Sequence, residues 1–167
     1  MRLTEFPAKG AGILEGGAIF IGPCFRRDTG LNWPDDGTNA VMLLVRTWEN
    51  EAFCRLVNRR YEWNTQYGVG PEMLLTNFID HDFYINMYRE ITATTSTLYV
   101  DFYDDYEITT PSAYITPNTA SLPLYNGDTP TPDLEDFYYF VAVAGFAGDV
   151  NPGYNTSGIL DDFYLIY

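Results

Sequence analysis

The side chains best suited to chemistry in this 167-residue chain are carboxylates. Asp101, Asp104, Asp105 and Glu107 fall within one short stretch, and Asp161 and Asp162 sit close to the C-terminal end. Hard oxygen donors gathered at a turn suit calcium, which takes about 6–8 oxygen ligands. The stretch lacks the Asp-x-Asp-x-Asp-Gly order of an EF-hand loop, and neighbours along a strand point to opposite faces. Solvated surface carboxylates are therefore the favoured reading, with a structural calcium site as the alternative.

Two other groups could do chemistry. Asp80-His81-Asp82 sets the one histidine between two carboxylates, a pairing that can orient a general base. Sequence neighbours orient a ring poorly, however, and no Gly-x-Ser-x-Gly nucleophile motif accompanies it, so a loop histidine is the simpler reading. Trp33, Trp48, Tyr61 and Trp63, with Arg59, supply rings and a fixed polar group of the kind that holds sugars. Core packing is the competing role for these rings, and Trp33, in a turn-rich loop, is the best candidate for exposure. Cys24 and Cys54 read as two buried free thiols in preference to one disulfide. Two cysteines and one histidine in unrelated spacing do not make a zinc site.

Charge narrows the classes of partner. Beyond Arg89 the chain has twelve acids and no base, so this half carries −12 of the net −14. Such a field rejects nucleic acid and anionic membrane, and attracts cations or a basic neighbour. Arginine outnumbers lysine eight to one (Lys9), which with the acid excess is one mark of a salt-adapted, halophilic protein. No apolar run is long enough to span a membrane, and residues 1–7 show no secretory signal. The Asn155-Thr156-Ser157 sequon is read as chance. Gly10 to Gly17 lacks the Lys-Ser/Thr of a phosphate loop.

The elements that must position these groups read as strands. Ala18 to Cys24, Ala40 to Trp48 and Phe137 to Phe146 are apolar runs, the last expected as a central strand covered on both faces. Leu98, Val100 and Phe102 alternate with Tyr99, Asp101 and Tyr103, with a second hairpin strand expected over 106–110 after an Asp104-Asp105 turn. Residues 50–63 lean to strand over helix. Residues 73–91 read as two strands around Asp80-His81-Asp82, against a helix starting at Pro71. Gly/Pro/Asn turns separate the runs. The fold class predicted is all-β, an antiparallel β-sandwich with at most one or two short helices. Residues 1–17 are expected to form an N-terminal arm and 18–167 a single domain.

The closing segment, with Gly158, Leu160, Asp161, Asp162, Phe163, Leu165 and Tyr167, resembles the last strand of concanavalin A-like and laminin G-like sandwiches and of jelly-roll carbohydrate-binding modules. Leu98-Tyr99-Val100-Asp101 looks like an internal strand of the same families. The resemblance is confined to the C-terminal half. It implies a sandwich fold, carbohydrate binding and, in some such modules, a bound calcium. The Glu-x-Asp-x-x-Glu strand of the sandwich glucanases is missing, and Asp133-Leu134-Glu135-Asp136 does not replace it.

These observations favour a non-enzymatic structural or adhesion subunit of a larger assembly, such as a virion capsid, tail or spike, located on a virion or extracellularly. Its partners would be other subunits and a cell-surface glycan. A lectin-like carbohydrate-binding module, with calcium as a stabilising ion, is the alternative. A sandwich polysaccharide hydrolase or lyase is third.

Overall fold

The computed structural model describes residues 1–5, 15–24, 40–48, 51–60, 65–125, 132, 139–147 and 157–159, with side chains for 1–2, 43–45, 52–58, 70–125 and 132. These residues form strands only, with no helix. The strands are β1 Arg2–Glu5, β2 Glu15–Cys24, β3 Ala40–Trp48, β4 Glu51–Arg60, β5 Thr65–Val69 and β6 Met73–Leu75, followed by β7 Tyr84–Ile91, β8 Ser96–Tyr103, β9 Ile115–Thr116, β10 Thr119–Pro123, β11 Tyr139–Ala147 and β12 Ser157–Ile159. All pairings are antiparallel. One sheet runs β11-β2-β3-β4-β6-β9 with β5 also on β4, a second runs β10-β8-β7, and β1 pairs with β12.

Residues 50–63, ambiguous by pattern, are strand through Arg60 because β3 pairs along the whole of β4, from Trp48 opposite Glu51 to Ala40 opposite Arg59. The helix starting at Pro71 does not form. Leu74 and Leu75 instead pair with Thr116 and Ile115.

Three regions show what pattern alone did not. The arm predicted over 1–17 contains β1, paired to β12 of the same chain, and Gly16 and Gly17 belong to β2, where the register shifts between Glu15 and Ala18. Glycine in a strand commonly marks such a bulge. Residues 106–110 do not resume as a strand. They form a loop that Asp105 closes on itself; Tyr103 and Pro111 bridge across its base, and the Asp104 amide donates to the Thr110 carbonyl at 2.9 Å. The apolar strand β11 pairs with β2 alone among the described residues, so it stands at the end of the described sheet order rather than at its centre. The final strand is described only through Ile159.

One buried cluster joins the two larger sheets. From the first come Leu43, Val45, Cys54, Leu56, Met73, Leu75 and Ile115, and from the second Leu98, Val100, Phe102, Ala120 and Leu122, with Phe83 and Leu124 filling in. The alternation read in β8 places Ser96, Leu98, Val100 and Phe102 inward and every intervening residue outward. β4 is different: Val57 and Phe53 are buried as well as Cys54 and Leu56. A near-continuous apolar run is the signature of a strand with both faces covered. Cys54 is a free thiol, and burial pushes its pKa far up. The thiol therefore stays protonated and unreactive.

Candidate functional site

The outward positions of β7 and β8 are set by the same period of two. Tyr84 pairs with Tyr103, Asn86 with Asp101, Tyr88 with Tyr99 and Glu90 with Thr97. On the far side of β8, Thr119 lies beside Asp101 and Ser121 beside Tyr99. One face of a three-stranded sheet thus carries two tyrosine rows with a carboxylate and an amide between them. The Tyr88 and Tyr99 rings stack, 5.0 Å between centroids and 11° from parallel. Tyr106, 58% exposed, meets Tyr84 edge-on at 6.1 Å from the neighbouring loop. Tyr88 is itself 40% exposed, so its ring is open to a ligand.

The polar groups on this face are held in defined states. Burial raises the Asp101 carboxyl above its ordinary value, and a hydrogen bond from the Asn86 side chain opposes it. Burial, then the charges of Asp101 and Glu90, push the Tyr88 hydroxyl up. That hydroxyl stays protonated and able to donate at physiological pH.

The loop after β8 is organised by carboxylates. Asp105 Oδ1 accepts from the Thr109 amide at 3.1 Å and the Thr109 hydroxyl at 3.0 Å, and Oδ2 accepts from the Thr110 amide. Ile108 adopts φ 58° inside this loop. The left-handed region is a genuine outlier for a β-branched residue, and such strain persists only where surrounding bonds enforce it. Hydrogen bonding by the Thr110 side chain, aided by the Thr109 and Thr110 amides, outweighs desolvation and lowers the Asp105 pKa to about 2. A depressed folded-state pKa means that this loop's stabilisation is present above the unfolded value of 3.8 and is lost as pH falls toward 2. NMR titration of the Asp105 carboxyl carbon is expected to give a midpoint near 2, and an ordinary midpoint would show that the loop bonds do not form in solution.

Asp104 faces the other way. Its Oδ1 lies 3.1 Å from His81 Nε2, and its Oδ2 accepts from the Ala113 amide at 2.9 Å. The His81 ring lies 3.8 Å from the Tyr114 ring and meets Phe83 edge-on at 5.0 Å. Desolvation alone would raise the Asp104 pKa. The Ala113 amide, the Ser112 hydroxyl and His81 together outweigh it and hold the carboxyl below its usual range. The Ser112 hydroxyl and His81 thus share the Asp104 carboxylate.

The Asp80-His81-Asp82 stretch is pulled apart by longer-range partners. His81 takes Asp104, while Asp82 Oδ1 accepts from Arg2 Nε at 2.8 Å and its second oxygen meets the same guanidinium. That hydrogen bond leads the causes that lower the Asp82 pKa. The sequence-predicted acids are likewise dispersed. Asp101 lies on the tyrosine face, Asp104 on His81, Asp105 in its own loop and Glu107 exposed beside it. Among the described residues no three His, Cys, Asp or Glu side chains are arranged to hold a metal ion.

Of the predicted ring set, Trp33, Tyr61 and Trp63 lie outside the described residues, as do Asp161 and Asp162. Trp48 and Arg59 stand at opposite ends of the β3–β4 pair, roughly 26 Å apart at a strand rise of about 3.3 Å per residue, so these two do not share a platform. The platform residues Tyr84, Asn86, Tyr88 and Tyr106 were missed. Tyr84, Asn86 and Tyr88 fall on even-numbered positions of β7, but nothing in the local pattern paired them with the odd-numbered tyrosines of β8. Comparison with protein-family models, curated proteins and solved structures finds no match to this chain.

Proposed function

We propose that this chain is a non-enzymatic adhesion subunit with an antiparallel β-sandwich fold, and that the tyrosine face of β7 and β8 binds carbohydrate. The stacked Tyr88–Tyr99 pair beside the Asp101–Asn86 pair carries the reading. Sugar rings present C–H faces that lie on aromatic rings, and hydroxyl edges that need a carboxylate or amide. A half-wet pair of stacked tyrosines, whose outer ring faces lie outside the stack, with a few fixed polar groups beside it offers both. The strained loop that holds Tyr106 against Tyr84 supports a role for this edge, because backbone strain concentrates at functional positions. The shared core of the two sheets supports the sandwich. The same reading makes the chain one subunit of a larger assembly, such as a virion, whose neighbours bring positive charge to its acidic half.

A glycan array followed by titration of the best ligand tests this. Tyr88→Ala and Tyr99→Ala are each expected to weaken binding about tenfold or more, the effect of losing an aromatic hot spot. Both lose the ring stack and should lower stability by only about 1 kcal/mol, leaving the protein folded. Binding that survives both substitutions would place the site elsewhere, and an array with no ligand would end the carbohydrate reading.

A further inference from the structure

Resting on the carbohydrate reading, we infer that the ligand is a neutral oligosaccharide laid along β7 and β8, and that acidic glycans are excluded from the same face. Length follows from the spacing of the rings. Tyr84 and Tyr88 are four residues apart on one strand, about 13 Å at strand rise. Tyr88 stacks with Tyr99, and Tyr84, opposite Tyr103 in the register, is met edge-on by Tyr106, so the face holds two groups of rings rather than one. Asp101 and Asn86 lie between them, where a linked sugar would present its hydroxyls. A single ring covers one platform, whereas a short chain reaches both and gains the polar contact between them.

Sign follows from the charges around the rings. Asp101 and Glu90 are the charged outward residues of β7 and β8, and both are acidic. Asp104, Asp105 and Glu107 follow directly beyond Tyr103. The one basic residue of these two strands, Arg89, has the inward parity of Met87 and donates from Nε to the buried Ser96 hydroxyl. A sialylated or sulfated sugar seated on Tyr88 and Tyr99 would bring its anion within a Debye length of Asp101, about 8 Å at physiological salt, and Arg2, the described cation coupled to Tyr84, is already paired with Asp82. Neutral sugars pay no such repulsion, and the Asp101 oxygens accept from their hydroxyls.

The test is an array and titration series of matched neutral, sialylated and sulfated versions of the same oligosaccharide cores, at low and high salt, beside the constituent monosaccharides. Neutral oligosaccharides should bind about tenfold or more tightly than their acidic counterparts at low salt. The gap should narrow at high salt as screening grows and shrink in Asp101→Asn, which removes charge at nearly constant shape. Oligosaccharides should bind about tenfold or more tightly than single sugars, an avidity gain from the second platform. Equal or tighter binding of acidic glycans would overturn the charge assignment, and equal binding of monosaccharides would overturn the two-platform assignment. Either result would leave carbohydrate as the ligand class. Binding of no glycan at all would instead remove the carbohydrate reading and this inference with it.

Discussion

Truncating Phe102 to alanine is expected to destabilise the fold by about 3–5 kcal/mol, the range for removing a buried aromatic ring. Phe102 is 1% exposed in the middle strand of the three-stranded sheet. It stands beside Val100 in the cluster that the larger sheet also lines, and opposite Ile85 of β7. Its amide donates to the Asn118 carbonyl and its own carbonyl accepts from the Ser112 amide, both at 2.9 Å. The backbone is therefore pinned and cannot collapse into the space the ring vacates, which puts the cost at the upper part of that range. Urea unfolding should show a lower midpoint with unchanged slope. Thr97→Ala, on the outward face of the same strand, should change stability by about 0.5 kcal/mol or less. A loss below about 1 kcal/mol for Phe102→Ala would mean that the inner face of β8 is not packed as described.

Replacing Asp104 with alanine is expected to remove about 2–3 kcal/mol, since hydrogen bonds to a charged group contribute more than neutral ones and their partners are left unsatisfied. The Ala113 amide loses its acceptor, the buried Ser112 hydroxyl loses a partner, and His81 loses the group that holds its ring on Tyr114. Asp104→Asn keeps one carbonyl acceptor and should recover part of the loss. The pH dependence carries a definite sign. The folded-state pKa lies below the ordinary carboxylate value, so the contribution is present above about pH 4 and disappears as pH falls through the folded-state value. Unfolding curves from pH 7 down to pH 2 should therefore fall more steeply for the wild type than for Asp104→Ala. Parallel curves would show that Asp104 is not engaged in the native state.

The local pattern was legible where it was periodic. The alternation in 96–103 announced both a strand and its buried face, because side chains of a strand point alternately to two sides. The run from Ala40 to Trp48 announced a strand by its continuous apolar content instead. Signals that depended on distant partners were not legible. Asp104-Asp105 read as a plain hairpin turn, yet one carboxylate closes its own loop and the other reaches His81, 23 residues back. Asp80-His81-Asp82 read as a loop histidine flanked by carboxylates, yet Asp82 and His81 take partners on opposite sides in sequence, Arg2 and Asp104. The tyrosines of β7 carried no distinguishing motif until the register set them opposite those of β8.

By itself, then, the sequence pointed to a strand-built fold, as the described residues show, with a one-signed acidic half, an apolar face on β8 and an outward face rich in tyrosine, since composition and a period of two are properties of the chain alone. Tertiary structure decided which acids stand alone, which close a loop and which meet a histidine, and it assembled Tyr84, Tyr88, Tyr99 and Tyr103 around Asn86 and Asp101. The physical reason is that strand register is a choice among distant partners, made by the shared core and the backbone ladder. Until that choice is made, a tyrosine at an even position is only a strand residue.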